Sequence, residues 1–222
     1  MLKRIYFFLP LLASLFCSFT PMKKCTRVLF FGDSITEAGV YQGGYIAQMK
    51  DSLASHKLDK KFELIGSGIG GNKVYDLYLR LETDVLAQKP DVVVIYVGVN
   101  DIWHKETHHT GTDADKFQKF YQAIIRKLQK ENIEVILCTP ACIGEQSNNS
   151  QDADLDAYSE TIRQLANANK CKLCDLREAF RTYQSTHNAD NLHSNVLTTD
   201  GVHLNAKGNQ MVAEMLLEKL RM

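Results

Sequence analysis

The chain has 222 residues, with 26 basic and 26 acidic side chains and hence a formal charge of zero at neutral pH. That length suits one domain, and 45% hydrophobic with 23% charged residues is an ordinary globular mix that excludes disorder for the bulk of the chain. Balanced charge leaves no electrostatic footprint for nucleic acid or an anionic membrane surface. The sequence has no internal repeat and no low-complexity tract longer than a loop.

The amino terminus reads as a targeting segment. Lys3 and Arg4 precede an apolar run from Ile5 to Phe19, interrupted by Pro10 and small polar residues, which is the pattern of a secretory signal. The run is shorter than the roughly 20 residues that span a bilayer. The expected division is a signal peptide over 1–24 and a single domain over 25–222, with export to the periplasm or beyond. Ser18 and Thr20 are small enough to precede a cut, whereas Pro21 is a poor residue to follow one. Cys17 invites comparison with lipidated cysteines, but bulky Phe16 departs from that pattern. Removal of Cys17 leaves Cys25, Cys138, Cys142, Cys171 and Cys174, an odd count with at least one free or intermolecular thiol. Cys171-Lys-Leu-Cys174 has redox or zinc spacing without a second ligand pair, so packing thiols or one disulfide are expected.

From Arg27 onward apolar runs alternate with helical patterns. Val28–Phe31 is a short apolar run ended by Gly32, hence a buried strand. Ile46, Met49 and Leu53 recur at helical spacing behind Gly43-Gly44. Phe62–Ile65 is a second strand stopped by glycines, and Val74, Leu77, Leu81 and Val85 follow as a helix. Val92–Val97 lacks polar alternation, as a central strand of a parallel sheet requires. Phe117, Phe120, Tyr121, Ile124, Ile125 and Leu128 mark the clearest amphipathic helix. Ile133–Cys138 is the fourth strand, Leu155 to Leu165 a helix, Lys172–Leu176 the fifth strand, and the last helix begins near Asn205. Strand–helix alternation predicts α/β architecture: right-handed crossovers and a five-stranded parallel sheet, with ligands at the strands' carboxyl ends.

Unusual residues cluster at those ends. Gly32-Asp33-Ser34-Ile35-Thr36-Glu37 fits a capping box, and equally a nucleophilic serine at a helix amino terminus. Gly66, Gly68 and Gly71 satisfy the spacing of a dinucleotide fingerprint, but in the second unit and with Asp91 on the wrong edge. The other reading of those glycines is a bare N–H ready to donate to an oxyanion. Asn100-Asp101 after the third strand is a turn, or a side-chain oxyanion donor. Asp200-Gly201-Val202-His203 is a turn before a helix capped by Asn205, or a carboxylate that fixes an imidazole tautomer three residues on.

In this order the blocks Gly32-Asp33-Ser34, Gly71, Gly98-x-Asn100-Asp101 and Asp200-x-x-His203 resemble the SGNH (GDSL-type) hydrolases, over residues 28 to about 220. The resemblance implies a flavodoxin-like three-layer α/β/α sandwich and a serine esterase or lipase-like activity with neither metal nor cofactor. It assigns Ser34 as nucleophile, His203 as base and acid, and Asp200 as the orienting carboxylate. It places the Ser34 and Gly71 N–H groups and the Asn100 amide in the oxyanion hole. Many members carry Asn where this chain has Gly66, which removes a side chain that could brace the glycine loop. No G-x-S-x-G is present, against the α/β-hydrolase version of the chemistry.

Substrate selection is expected from two loops. One runs from Ile102 to Gly111 with Trp103 and His104, joined by Asp33 beside the serine as substrate-loop candidates. The other is a long polar stretch from Thr182 to Thr199. His104, His108 and His109 have no acidic or cysteine partner at metal-binding spacing. The absence of a long apolar lid and the expected export favour short acyl groups, with acetyl esters of saccharides as substrate. The alternatives are a lysophospholipase or thioesterase of the same fold, or a non-catalytic carbohydrate- or nucleotide-binding protein. The expected partner is thus a small-molecule or saccharide ester, with no nucleic acid or integral membrane partner.

Overall fold

The computed structural model describes residues 25–147 and 149–220, so the expected signal segment and Cys17 lie outside the described residues. Five parallel strands form the sheet: β1 (Thr26–Gly32), β2 (Phe62–Gly68), β3 (Val92–Tyr96), β4 (Glu134–Cys138) and β5 (Lys172–Cys174). Their order is β2-β1-β3-β4-β5, the flavodoxin-like arrangement. Among the described residues eight α-helices accompany them: α1 (Ser34–Gly39), α2 (Tyr45–Ser55), α3 (Val74–Asp84), α4 (Val99–Thr107), α5 (Ala114–Lys130), α6 (Asp152–Asn169), α7 (Leu176–His187) and α8 (Ala206–Leu220). Helices α3, α5 and α6 are neighbours in one layer, and α2 packs beside α8 in the other.

Both sheet faces are covered, and the strand sequences follow from that. Every residue of β3 is buried, and Val28 to Phe31 of β1 are fully so. Side chains of this kind contribute about 1.5–3 kcal/mol each when fully buried. Helix α5 turns Phe117, Tyr121, Ile124, Ile125 and Leu128 inward, with Lys127 and Lys130 in its last turn where the helix dipole favours cations. Because the strand order reverses between β1 and β3, the loops leaving them open side by side. Ser34 lies just beyond β1 and Asn100 just beyond β3, on either side of that switch point.

Three expectations need correction. The segment around Trp103 and His104 is the helix α4, started by Gly98 at φ +140° and carrying Asp101 in its first turn. The polar stretch begins later than expected, because Thr182 to His187 complete α7; Asp175 caps that helix and Leu176 begins it, so β5 stops at Cys174. Ser34 is the first residue of α1 rather than its cap. Asp33 caps the helix, its carboxylate accepting the Ile35 N–H at 3.0 Å. The five described cysteines are free thiols, with Cys138, Cys142 and Cys174 buried as packing groups.

The glycines of β2 reflect crowding. A Cβ on Gly66 would stand 2.2 Å from a methyl of Val40, so this position is filled by packing and has no room for a bracing side chain. A Cβ on Gly68 would stand 2.0 Å from the Glu37 nitrogen and 2.5 Å from the Thr36 carbonyl carbon, both backbone atoms of α1. Gly68→Ala is therefore expected to cost about 3 kcal/mol by overpacking, lowering Tm by about 10 °C at this chain length. At Gly70 the nearest atom would be the flexible Glu37 carboxylate at 3.2 Å, so Gly70→Ala should shift Tm far less. Paired thermal melts check this, and equal shifts would contradict it.

Candidate active site

The residues nominated at the strand ends converge. Ser34 Oγ lies 2.9 Å from His203 Nε2, and His203 Nδ1 lies 2.7 Å from Asp200 Oδ2. An ionised carboxylate only accepts, so the proton sits on Nδ1 and Nε2 is left to accept from the serine hydroxyl. The other carboxylate oxygen, Asp200 Oδ1, accepts the N–H groups of Val202 at 2.9 Å and His203 at 2.8 Å. Partial burial opposes ionisation of Asp200, but the hydrogen bonds from the His203 ring and from these two N–H groups outweigh it and hold the carboxyl below its ordinary range. Gly201, at φ +96°, makes this tight turn, and a Cβ there would press against Gly144 at 3.2 Å.

On the opposite side of Ser34 stand hydrogen-bond donors. Gly71 has φ +75°, and among the described residues its N–H has no acceptor. Its carbonyl is held by Lys73 Nζ at 2.9 Å. Asn100 is buried, and Nδ2 gives one hydrogen to the Asn72 carbonyl at 3.1 Å, which leaves the second for a ligand. A Cβ on Gly70 would come within 4.0 Å of the Ser34 Cβ, so the glycine loop lies against the serine. The Ser34 N–H at the start of α1, the Gly71 N–H of the glycine loop and the second Asn100 amide hydrogen in the first turn of α4 are donors of the kind an oxyanion requires.

Of the remaining nominated residues, Asp33 is buried beneath the site as a helix cap, so it is not part of a substrate loop. Trp103 is half-buried and packs against the core. His104 borders the glycine loop: its Cε1 would lie 3.8 Å from a Cβ on Gly71. Burial first, then His108 and Lys73, push the His104 imidazole below its ordinary value, towards the neutral form. Among the described residues no group of three or more His, Cys, Asp or Glu is placed to hold a metal ion.

Glu145 was not anticipated, because nothing near it in sequence marks it. Its buried carboxylate accepts three successive backbone N–H groups, from Val196 at 2.8 Å, Leu197 at 2.5 Å and Thr198 at 2.8 Å. Thr198 Oγ1 in turn accepts the Gly201 N–H at 3.0 Å, so Glu145 anchors the strap that ends in the Asp200–His203 turn.

A serine bonded to a carboxylate-oriented imidazole, with a glycine loop lying against it, is the constellation of a serine hydrolase. The chain matches the model of the GDSL-like lipase/acylhydrolase family over residues 30–211, belongs to that family, and is a carboxylic ester hydrolase. Acetylxylan esterase of Geobacillus stearothermophilus is 29% identical over 209 residues, covering 87% of this chain and 93% of the relative. Isoamyl acetate-hydrolyzing esterase of Schizosaccharomyces pombe is 24% identical over 196 residues, covering 86% and 73%. Among solved structures, the acetyl xylan esterase AlAXEase superposes with TM-score 0.86 at 57% identity, over 87% of this chain and 99% of that one. The Geobacillus acetylxylan esterase Axe2 superposes with TM-score 0.79 at 27% identity, over 90% and 97%. Axe2 structures are described as catalytic mutants at a serine, at an aspartate and at a histidine three positions beyond it, the spacing of Asp200 and His203 here.

Two outcomes follow from the buried carboxylates. Burial raises Asp33 from 3.8 to about 7 and Asp101 from 3.8 to about 7, the Ile35 and Val74 N–H groups opposing this only in part. Between pH 4 and 7 the native state therefore binds protons that the unfolded chain has released, so stability falls as pH rises through that window and levels off above it. Asp101→Asn should flatten part of the decline in urea midpoint from pH 5 to pH 8; an unchanged slope would contradict the assignment. Glu145→Ala strands three buried N–H groups, each costing ~1–3 kcal/mol. It should lower the urea midpoint and kcat together, and intact kcat in the folded variant would separate the strap from the site.

Proposed function

We propose that the protein is an exported deacetylase that removes acetyl groups from acetylated saccharides of the xylan type. The observation that carries this reading is the bonded series Ser34–His203–Asp200, set opposite Gly71 and Asn100 in a chain whose relatives are named for acetate esters. Lys3, Arg4 and the apolar run behind them support export.

In this mechanism Ser34 Oγ attacks the acetyl carbonyl as its proton passes to His203 Nε2. Asp200 stabilises the imidazolium that forms, without taking the proton itself. The carbonyl oxygen, now carrying the charge, receives the N–H groups of Ser34 and Gly71 and the free amide hydrogen of Asn100. His203 returns the proton to the departing sugar hydroxyl, leaving an acetyl ester on Ser34. Water then attacks that ester with His203 again as base, the acyl bond to Ser34 Oγ breaks as His203 returns the proton to that oxygen, and acetate leaves.

Nitrophenyl esters of acetyl, butyryl and octanoyl chains test the acyl preference, and acetate release from acetylated xylo-oligosaccharides tests the alcohol. Rates should fall along the acyl series. Ser34→Ala should abolish turnover, Asp200→Ala should lower it less completely, and Asn100→Ala should lower kcat by roughly 10²–10³. A preference for octanoyl esters would move the assignment to a lipase, and activity surviving in Ser34→Ala would remove the serine mechanism.

A further inference from the structure

We propose that Arg80 is the positioning residue of the oxyanion hole: one guanidinium holds, at their carbonyl and side-chain ends, the loops that carry all three donors. The inference rests on the reading of Ser34, Gly71 and Asn100 given above.

Arg80 lies in α3, one layer away from the serine, and its side chain is only 13% exposed. Its plane is stacked over Phe31 of β1, 4.4 Å from the ring centroid. A guanidinium has five N–H bonds, and here each has an acceptor. Nε donates to Asn72 Oδ1 at 2.8 Å. Nη1 donates to Ser67 Oγ and to Asp84 Oδ2, both at 3.0 Å. Nη2 donates to the carbonyls of Gly32 at 2.8 Å and Ser67 at 3.0 Å.

A single carboxylate is among these five acceptors, so the group is no ordinary ion pair. The other four belong to the segments that make the donor triangle. Gly32 stands two residues before Ser34. Ser67 opens the glycine loop, and Asn72 closes it directly after Gly71. The Asn72 carbonyl is also what orients the Asn100 amide. The guanidinium thus holds the chain two residues before Ser34 and one residue after Gly71, and reaches the Asn100 donor through Asn72. An oxyanion hole lowers the barrier only if its dipoles are already aligned, and a shift near 1 Å costs about 10²-fold in rate. A lysine has three donors around one point and cannot reproduce a planar fork over Phe31.

The test compares Arg80→Lys, Arg80→Ala and Asn72→Ala with the wild type on nitrophenyl acetate, with Tm recorded for each. Arg80→Ala should lose roughly 10²-fold in kcat, with KM changed far less, because the donors act on the transition state. Millimolar guanidinium ion should restore part of that loss, and Arg80→Lys should restore little. Asn72→Ala removes one acceptor and should lower kcat about tenfold while remaining folded, so it decides the matter if Arg80→Ala does not fold. Lower Tm with intact kcat, a rise in KM alone, or full activity in Arg80→Lys would overturn the proposal. Ser34→Ala runs alongside: activity surviving there refutes the esterase mechanism itself, whereas an inactive Ser34→Ala beside active Arg80 variants refutes only the role of Arg80.

Discussion

Backbone must touch backbone where β1, β2 and β3 end, and the rest of the site depends on that close approach. A Cβ on Gly32 would lie 2.3 Å from the Tyr96 carbonyl oxygen and 2.3 Å from Thr36 Oγ1. The glycine at Gly68 meets the α1 backbone just as tightly. Side chains at these positions would push the strand ends apart by about 1 Å, enough to disturb the placing of the serine and the glycine loop. Glycine at a strand end is costly in conformational entropy, and here it is what permits three main chains to converge.

Convergence leaves backbone groups that the sheet ladder does not satisfy, and buried charged side chains take them up. Arg80 supplies donors to carbonyls and Glu145 supplies acceptors to N–H groups, so one holds the strand ends beside Ser34 and the other the strap that leads to His203. Asp101 does the same between helices, accepting the Val74 N–H at the start of α3 from its place in α4. Glu145 bonds three main-chain N–H groups and Arg80 two main-chain carbonyls among its five acceptors, so protein dipoles stand in for water around both, which offsets the cost of burial.

The division between what the sequence discloses and what it hides follows from this. Ser34 and Asn100 were legible because each stands in a short block just beyond a strand end, and Asp200 and His203 because they share one tight turn before the last helix. Strands β1, β3 and β4 were legible because they lie inside the sheet, and their buried apolar runs are nearly unbroken. Arg80 and Glu145 were not, since their partners lie up to 48 and 53 residues away and no local pattern marks them. Helix α7 was obscured because Leu176 extends the apolar run of β5, while its polar end reads as loop; only Leu176, Arg177 and Phe180 are buried. Helix α4 was obscured for the opposite reason. Asn100 and Asp101 are turn formers by type, and here they occupy a first helical turn whose neighbours Val99 and Ile102 are buried.

Burial is distributed unevenly across the site, and the asymmetry has a chemical sense. Asn100 is 4% exposed, whereas the His203 and Asp200 side chains are 37% and 51% exposed. Donors to an oxyanion work by being fixed before the charge appears, so burial and bracing serve them. The base must instead return its proton to the leaving alcohol and then take one from an incoming water. On the proposed mechanism both exchanges are made by His203, whose side chain is partly open to solvent. On the proposed mechanism the alcohol portion of the ester therefore departs through the open side of the site. The solvent-facing pair and the braced donor loops thus fit an ester whose alcohol is bulky, with a carbonyl held from the buried side.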